Sequence, residues 1–73
     1  MFRILIVDDE PPIREWLVHT LLSSRPDYHT ESANNGLEAL EKCKSAFYDL
    51  IVMDIRMPHM NGLEFLEALY ELC

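Results

Sequence analysis

Arg-Ile-Leu-Ile-Val at positions 3–7 runs straight into Asp8-Asp9-Glu10, and Leu-Ile-Val-Met at 50–53 runs straight into Asp54. These two stretches decide the fold. Each is continuously apolar and rich in branched side chains rather than alternating. That pattern suits a strand buried on both faces, as in a parallel sheet, whose strands need crossover connections. The residues between supply the crossovers. Pro11-Pro12 opens a helix, because a proline in the first turn lacks only an N–H that would have no partner. Ile13, Leu17 and Leu21, flanked by Trp16 and Thr20, mark one face of it. Ser23-Ser24-Arg25-Pro26-Asp27 stops it.

Tyr28–Ala33 reads as a short strand of mixed polarity, suited to a sheet edge. Asn34-Asn35-Gly36 is a turn, and Asn35 with Glu38 forms a capping-box-like start. The helix that follows carries Ala39, Leu40 and Cys43 inward and ends near Ser45. After the second apolar strand, a loop over 55–61 contains Pro58, and Gly62 leads a third helix. Leu63, Leu66, Leu69 and Tyr70 mark one side of that helix, and Glu64, Glu67 and Glu71 the other. The order is β-α-β-α-β-α, so parallel pairing and right-handed crossovers are expected. Ligands of such sheets bind at the carboxyl ends of the strands.

Two strands end there in acid. If the first and third are neighbours, Asp8, Asp9 and Asp54 meet at one edge, and their mutual repulsion calls for a cation. Magnesium takes oxygen ligands, keeps waters and meets phosphate oxygens. A carboxylate beside it can act as a nucleophile toward phosphorus, giving an acyl phosphate. A lone Asp after a strand is more often a turn or cap residue. The paired Asp after one strand together with the single Asp after another is what points to chemistry.

Composition sets the bounds. The chain has 73 residues, 49% hydrophobic and 26% charged, which is a globular composition at most one domain long. Its 13 acidic against 6 basic residues give a net charge of -7, contrary to phosphate-backbone binding by this segment. The apolar start is far too short to span a membrane. Cys43 and Cys73 form no CxxC and no disulfide framework, which with the absence of a signal-peptide pattern suits a reducing cytoplasm. His19, His29 and His59 lack metal-ligand spacing, and Trp16 is expected to pack on its helix.

IVDDE at 6–10 and DLIVMDIRMPHMNGLEFL at 49–66 resemble the receiver domains of bacterial two-component response regulators, and the resemblance runs in order along the whole chain. It implies a flavodoxin-like three-layer α/β sandwich with a parallel sheet. It implies phosphorylation of Asp54 by a histidine kinase partner, and Mg2+ held directly by Asp9 and Asp54, with Asp8 acting through water. The backbone carbonyl of Arg56 would add an oxygen, and Met57, Pro58 and Gly62 would shape the rim of the site. EPPIREWL further resembles receivers joined to AraC-type DNA-binding outputs, implying regulation of transcription.

A complete receiver has five strand–helix units, and residues 1–73 carry the first three. The family's phosphoryl-sensing Ser or Thr and its paired Lys, at the ends of the fourth and fifth strands, have no counterpart here. Lys42 and Lys44, on the second helix, do not map to that Lys. Leu50–Met53 is then an exposed apolar edge, from which self-association or strand exchange is expected. The leading expectation is a phosphoacceptor switch that is not an enzyme beyond its own phosphorylation and dephosphorylation. The alternatives are a non-phosphorylatable interaction or dimerisation fragment, and a metal-dependent phosphatase with an Asp nucleophile. Many such phosphatases carry a second Asp two residues on, where this chain has Arg56.

Overall fold

A computed structural model describes residues 1–54 and 62–72. The elements follow the expected order: β1 Arg3–Val7, α1 Pro11–Ser24, β2 His29–Ala33, α2 Gly36–Ser45, β3 Leu50–Met53 and α3 Gly62–Leu72. The three strands form one parallel sheet in the order β2-β1-β3. β1 is central, pairing Val7 with Ala33 on one side and with Met53 on the other. The polar strand β2 lies at the edge, as its composition implied.

Central placement explains the unbroken apolar run of β1. Ile4, Leu5, Ile6 and Val7 are all buried, so both faces of the strand are covered. Leu5 and Val7 join Ala33, Ala39 of α2 and Phe65 of α3 in the main core, with Leu40, Cys43, Tyr48, Ile51, Met53 and Leu69 packed around it. Ile4 and Ile6 alternate to the opposite face, where α1 contacts β1. Burying these side chains supplies roughly 1.5–3 kcal/mol each. Three layers result, with α1 on one face and α2 and α3 on the other.

The start of α2 follows local chemistry. Asn35 Oδ1 accepts the Glu38 N–H at 2.9 Å, the N-cap bond that the turn sequence implied. The return half of the box lands one residue early: Glu38 Oε2 takes both the backbone and the side-chain N–H of Asn34.

Two helix faces differ from expectation. In α1 no residue is fully buried, and the half-buried set is Arg14, Leu17, Val18, Leu21 and Leu22, while Ile13 is exposed. Trp16 is 64% exposed, so most of its indole faces away from the core. In α3 Phe65 is the buried anchor, whereas Leu63, Leu66 and Tyr70 are exposed. Both helices carry apolar side chains around more than one face, and packing selects among them: contact with β1 for α1, and the shared core with α2 for α3.

A polar network centred on Glu31 of β2 ties the sheet together. Glu31 Oε2 accepts from Arg3 Nη2 at 2.7 Å and lies 3.0 Å from His29 Nε2. Its Oε1 accepts the Tyr48 hydroxyl at 2.9 Å and lies 4.0 Å from Lys42 Nζ. The Tyr48 hydrogen bond, with those from His29 and Arg3, holds the Glu31 carboxyl at about 2, against desolvation that acts the other way. Burial, then the bond to Glu31, pushes the Tyr48 hydroxyl up. The Arg3 guanidinium lies 5.3 Å from the Tyr48 ring centroid, a cation–π contact. Arg3 Nε is buried with no hydrogen-bond acceptor among the described residues.

Candidate functional site at the carboxyl ends of strands one and three

The ladder carries the backbone of both acid positions past the strand ends. Asp8 N–H donates to the Ala33 carbonyl at 3.2 Å, and Asp54 N–H donates to the Val7 carbonyl at 3.4 Å. At the other end of β3, Asp49 N–H donates to the Arg3 carbonyl at 2.8 Å, while the Asp49 carboxylate accepts the Arg3 N–H at 2.7 Å. Both ends of the β1–β3 pairing are therefore secured. Because Val7 is in register with Met53, the next residues, Asp8 and Asp54, lie on adjacent strand ends with backbones roughly 5 Å apart.

The three aspartates differ in setting. Asp8 is 8% exposed, and its Oδ1 accepts the Glu10 N–H at 2.9 Å, so the buried carboxylate is partnered. Asp9 and Asp54 are exposed at the rim. Among the described residues no three acidic, histidine or cysteine side chains close on one point that could hold a metal ion. The donors are nonetheless all carboxylate oxygens. Magnesium needs only one or two of these and fills its shell with water and substrate oxygens, so the donor chemistry fits that ion.

Of the other residues singled out from sequence, Gly62 is the buried first residue of α3. It lines a groove with Ile51, Met53, Leu63, Phe65 and Leu66, beside the strand end that carries Asp54. Arg56, Met57, Pro58 and His59 lie outside the described residues, as does Cys73. Cys43 is half-buried against the core. His19 is exposed, and His29 belongs to the Glu31 network.

Sequence reasoning missed Arg14. Its Nη1 donates to the Asp8 carbonyl at 2.7 Å. The available signal was its place, because a cation near a helix N-terminus opposes the macrodipole and calls for an acceptor.

Known proteins resemble this chain along nearly its whole length. The profile of the response regulator receiver domain matches residues 4–72. A protein-glutamate methylesterase/protein-glutamine glutaminase of Rhizobium etli is 44% identical over 71 residues, which is 96% of this chain and 20% of that protein. A CpxR-homologous transcriptional regulatory protein of Haemophilus influenzae is 42% identical, over 94% of this chain and 29% of its own length. Among solved structures, the response regulator TrrA of Thermotoga maritima, in complex with Mg2+-BeF, superposes with a TM-score of 0.88 at 46% identity. That match covers 99% of this chain and 61% of TrrA. TrrA in complex with the histidine kinase ThkA gives 0.86 at 46% identity, over 97% and 60% of the two chains.

The chain belongs to the response regulator receiver family, and its sheet with three helices is the corresponding part of the flavodoxin-like fold. It spans less than a third of the length of these curated relatives.

Proposed function

We propose that this chain is the phosphoacceptor part of a two-component response regulator, made of the first three strand–helix units of a receiver. The observation that supports the reading is the β1–β3 register, which puts Asp8 and Asp54 at adjacent strand ends, with Asp9 next in sequence to Asp8. A histidine kinase supplies the phosphoryl group, as the kinase complex of TrrA supports. A carboxylate oxygen of Asp54 attacks phosphorus in line, the phosphorus–nitrogen bond of the phosphohistidine breaks, and the histidine leaves as the acyl phosphate forms.

Mg2+ is the cofactor that this donor set suits: Asp9 and Asp54 would hold it directly and Asp8 through water, and the resemblance adds the backbone carbonyl of Arg56, which lies outside the described residues. Bound there, the ion offsets the repulsion of the carboxylates and the charge of the phosphoryl oxygens. Gly62 would stand at the rim, beside the strand end that carries Asp54, a role that the resemblance extends to Met57 and Pro58. The protein is cytoplasmic and controls an output, transcription being the one that the CpxR-like relative supports. The net charge of -7 supports the view that this segment does not itself bind nucleic acid. No described helix is long and apolar enough to cross a membrane.

One observation favours a second, compatible role. Among the described residues β3 is an edge strand, Leu50 is 44% exposed on it, and the apolar groove between β3 and α3 lies alongside. An edge of this kind pairs with another strand, so self-association through Leu50–Met53 is expected of the isolated chain.

The test is incubation with a small acyl-phosphate donor, with and without magnesium. The switch reading expects one slowly lost phosphoryl group per chain, dependent on magnesium and abolished in Asp54→Asn. Multiple turnover would mean a phosphatase instead. No reaction by a folded sample would leave an interaction fragment.

A further inference from the structure

α1 lies loosely on the sheet, with no fully buried residue. Against that background Arg14 makes a short charge-assisted bond to the end of β1: its Nη1 donates to the Asp8 carbonyl at 2.7 Å. All three polar parts of Asp8 are thereby engaged. Its N–H goes to Ala33 of β2, its carboxylate takes the Glu10 N–H, and its carbonyl takes Arg14. The Glu10 carbonyl in turn accepts the N–H groups of Ile13 and Arg14, at 3.1 and 3.2 Å. A closed set of bonds therefore runs around the turn that carries Asp9, and Arg14 joins its helical side to its strand side.

We propose that Arg14 is a positioning residue for the acidic site: its bond to the Asp8 carbonyl holds the β1–α1 turn so that Asp8 and Asp9 present their oxygens to a divalent cation beside Asp54. This rests on the magnesium reading above. Charge alone makes the opposite demand. A guanidinium near a cation site repels the cation, so a purely electrostatic Arg14 would weaken magnesium binding and its removal would strengthen it. A positioning Arg14 strengthens binding, and its removal weakens it. The sign of the effect separates the two.

The experiment compares the full chain with Arg14→Met, which keeps the aliphatic stem and a good helix former but loses donor and charge, and with Arg14→Lys, which keeps both. Magnesium affinity is measured by calorimetric titration, and exchange of the Glu10 amide is followed without metal. Thermal unfolding confirms that each variant is folded, and Arg14→Leu replaces Arg14→Met if the latter is not. We expect Arg14→Met to bind magnesium roughly tenfold more weakly, the lower end for partners that orient a ligand. Arg14→Lys should recover most of that loss. The Glu10 amide of Arg14→Met should exchange faster relative to the β1 amides. Unchanged or tighter magnesium binding by Arg14→Met overturns the proposal. If the unaltered chain takes up no magnesium, it is the magnesium reading that has failed. The exchange data then judge the turn alone: unchanged Glu10 protection refutes the positioning role, and faster exchange upholds it.

Discussion

Replacing Glu31 by Gln removes the charge at the centre of the polar network while keeping the shape of the side chain. The Glu31 carboxyl falls from 4.5 to about 2 in the folded chain. Unscreened, that difference is about 3 kcal/mol in favour of the ionised form. The side chain is 27% exposed, so screening by water reduces the contribution to about 1–2 kcal/mol. For a chain of this size 1 kcal/mol moves Tm by about 4–8 °C, so Glu31→Gln should unfold about 5–15 °C lower at pH 7.

The folded pKa is depressed, so this stability is fully present above the unfolded value of 4.5 and is lost as pH falls toward about 2. The gap between the two proteins should therefore close across that window. Thermal unfolding by circular dichroism at pH 7 and at successively lower pH reads both quantities. A gap of only a degree or two at pH 7, or one that persists undiminished at pH 2, would refute the reasoning.

Other expectations follow from single contacts. Asn35→Ala removes the N-cap of α2 and should cost about 1 kcal/mol in denaturant unfolding, with no effect on phosphorylation. Phe65→Ala opens the main core and should cost about 3–5 kcal/mol, enough to leave the chain largely unfolded by circular dichroism. Trp16→Ser should change stability by no more than about 0.5 kcal/mol, because the indole is exposed. A charge placed on the open edge, as in Leu50→Lys, should lower the sedimenting mass of the isolated chain toward that of one protomer.

The sheet was legible in the sequence because its central strand is unmistakable. Arg3–Val7 has no polar face, and only a strand covered on both sides can be so built. Crossover handedness leaves strand order open, so the adjacency of the first and third strands stayed a condition in the sequence and is supplied by the β1–β3 register. Asn35 could be read as a cap because that chemistry is local.

The helix faces were harder. Ile13, Leu17 and Leu21 form one apolar row of α1, yet Arg14, Val18 and Leu22 form another, and the sheet takes the side nearer the second. In α3 the row of Leu63, Leu66 and Tyr70 hid Phe65, which the core selects. The Glu31 network joins residues 28 and 17 positions apart, and no local pattern announces such pairs. At the site, sequence supplied the acids but not Arg14, whose role depends on how α1 starts.

The central claim is that the β1–β3 register makes Asp54 the phosphoacceptor. Its most direct test is to identify the residue that carries the phosphoryl group. After reaction with an acyl-phosphate donor and magnesium, borohydride reduction converts a phosphorylated aspartate to homoserine, and peptide mass spectrometry locates it. The account requires homoserine at position 54, in amounts that depend on magnesium. Homoserine at position 8 or 9, or none in a folded sample, would contradict it.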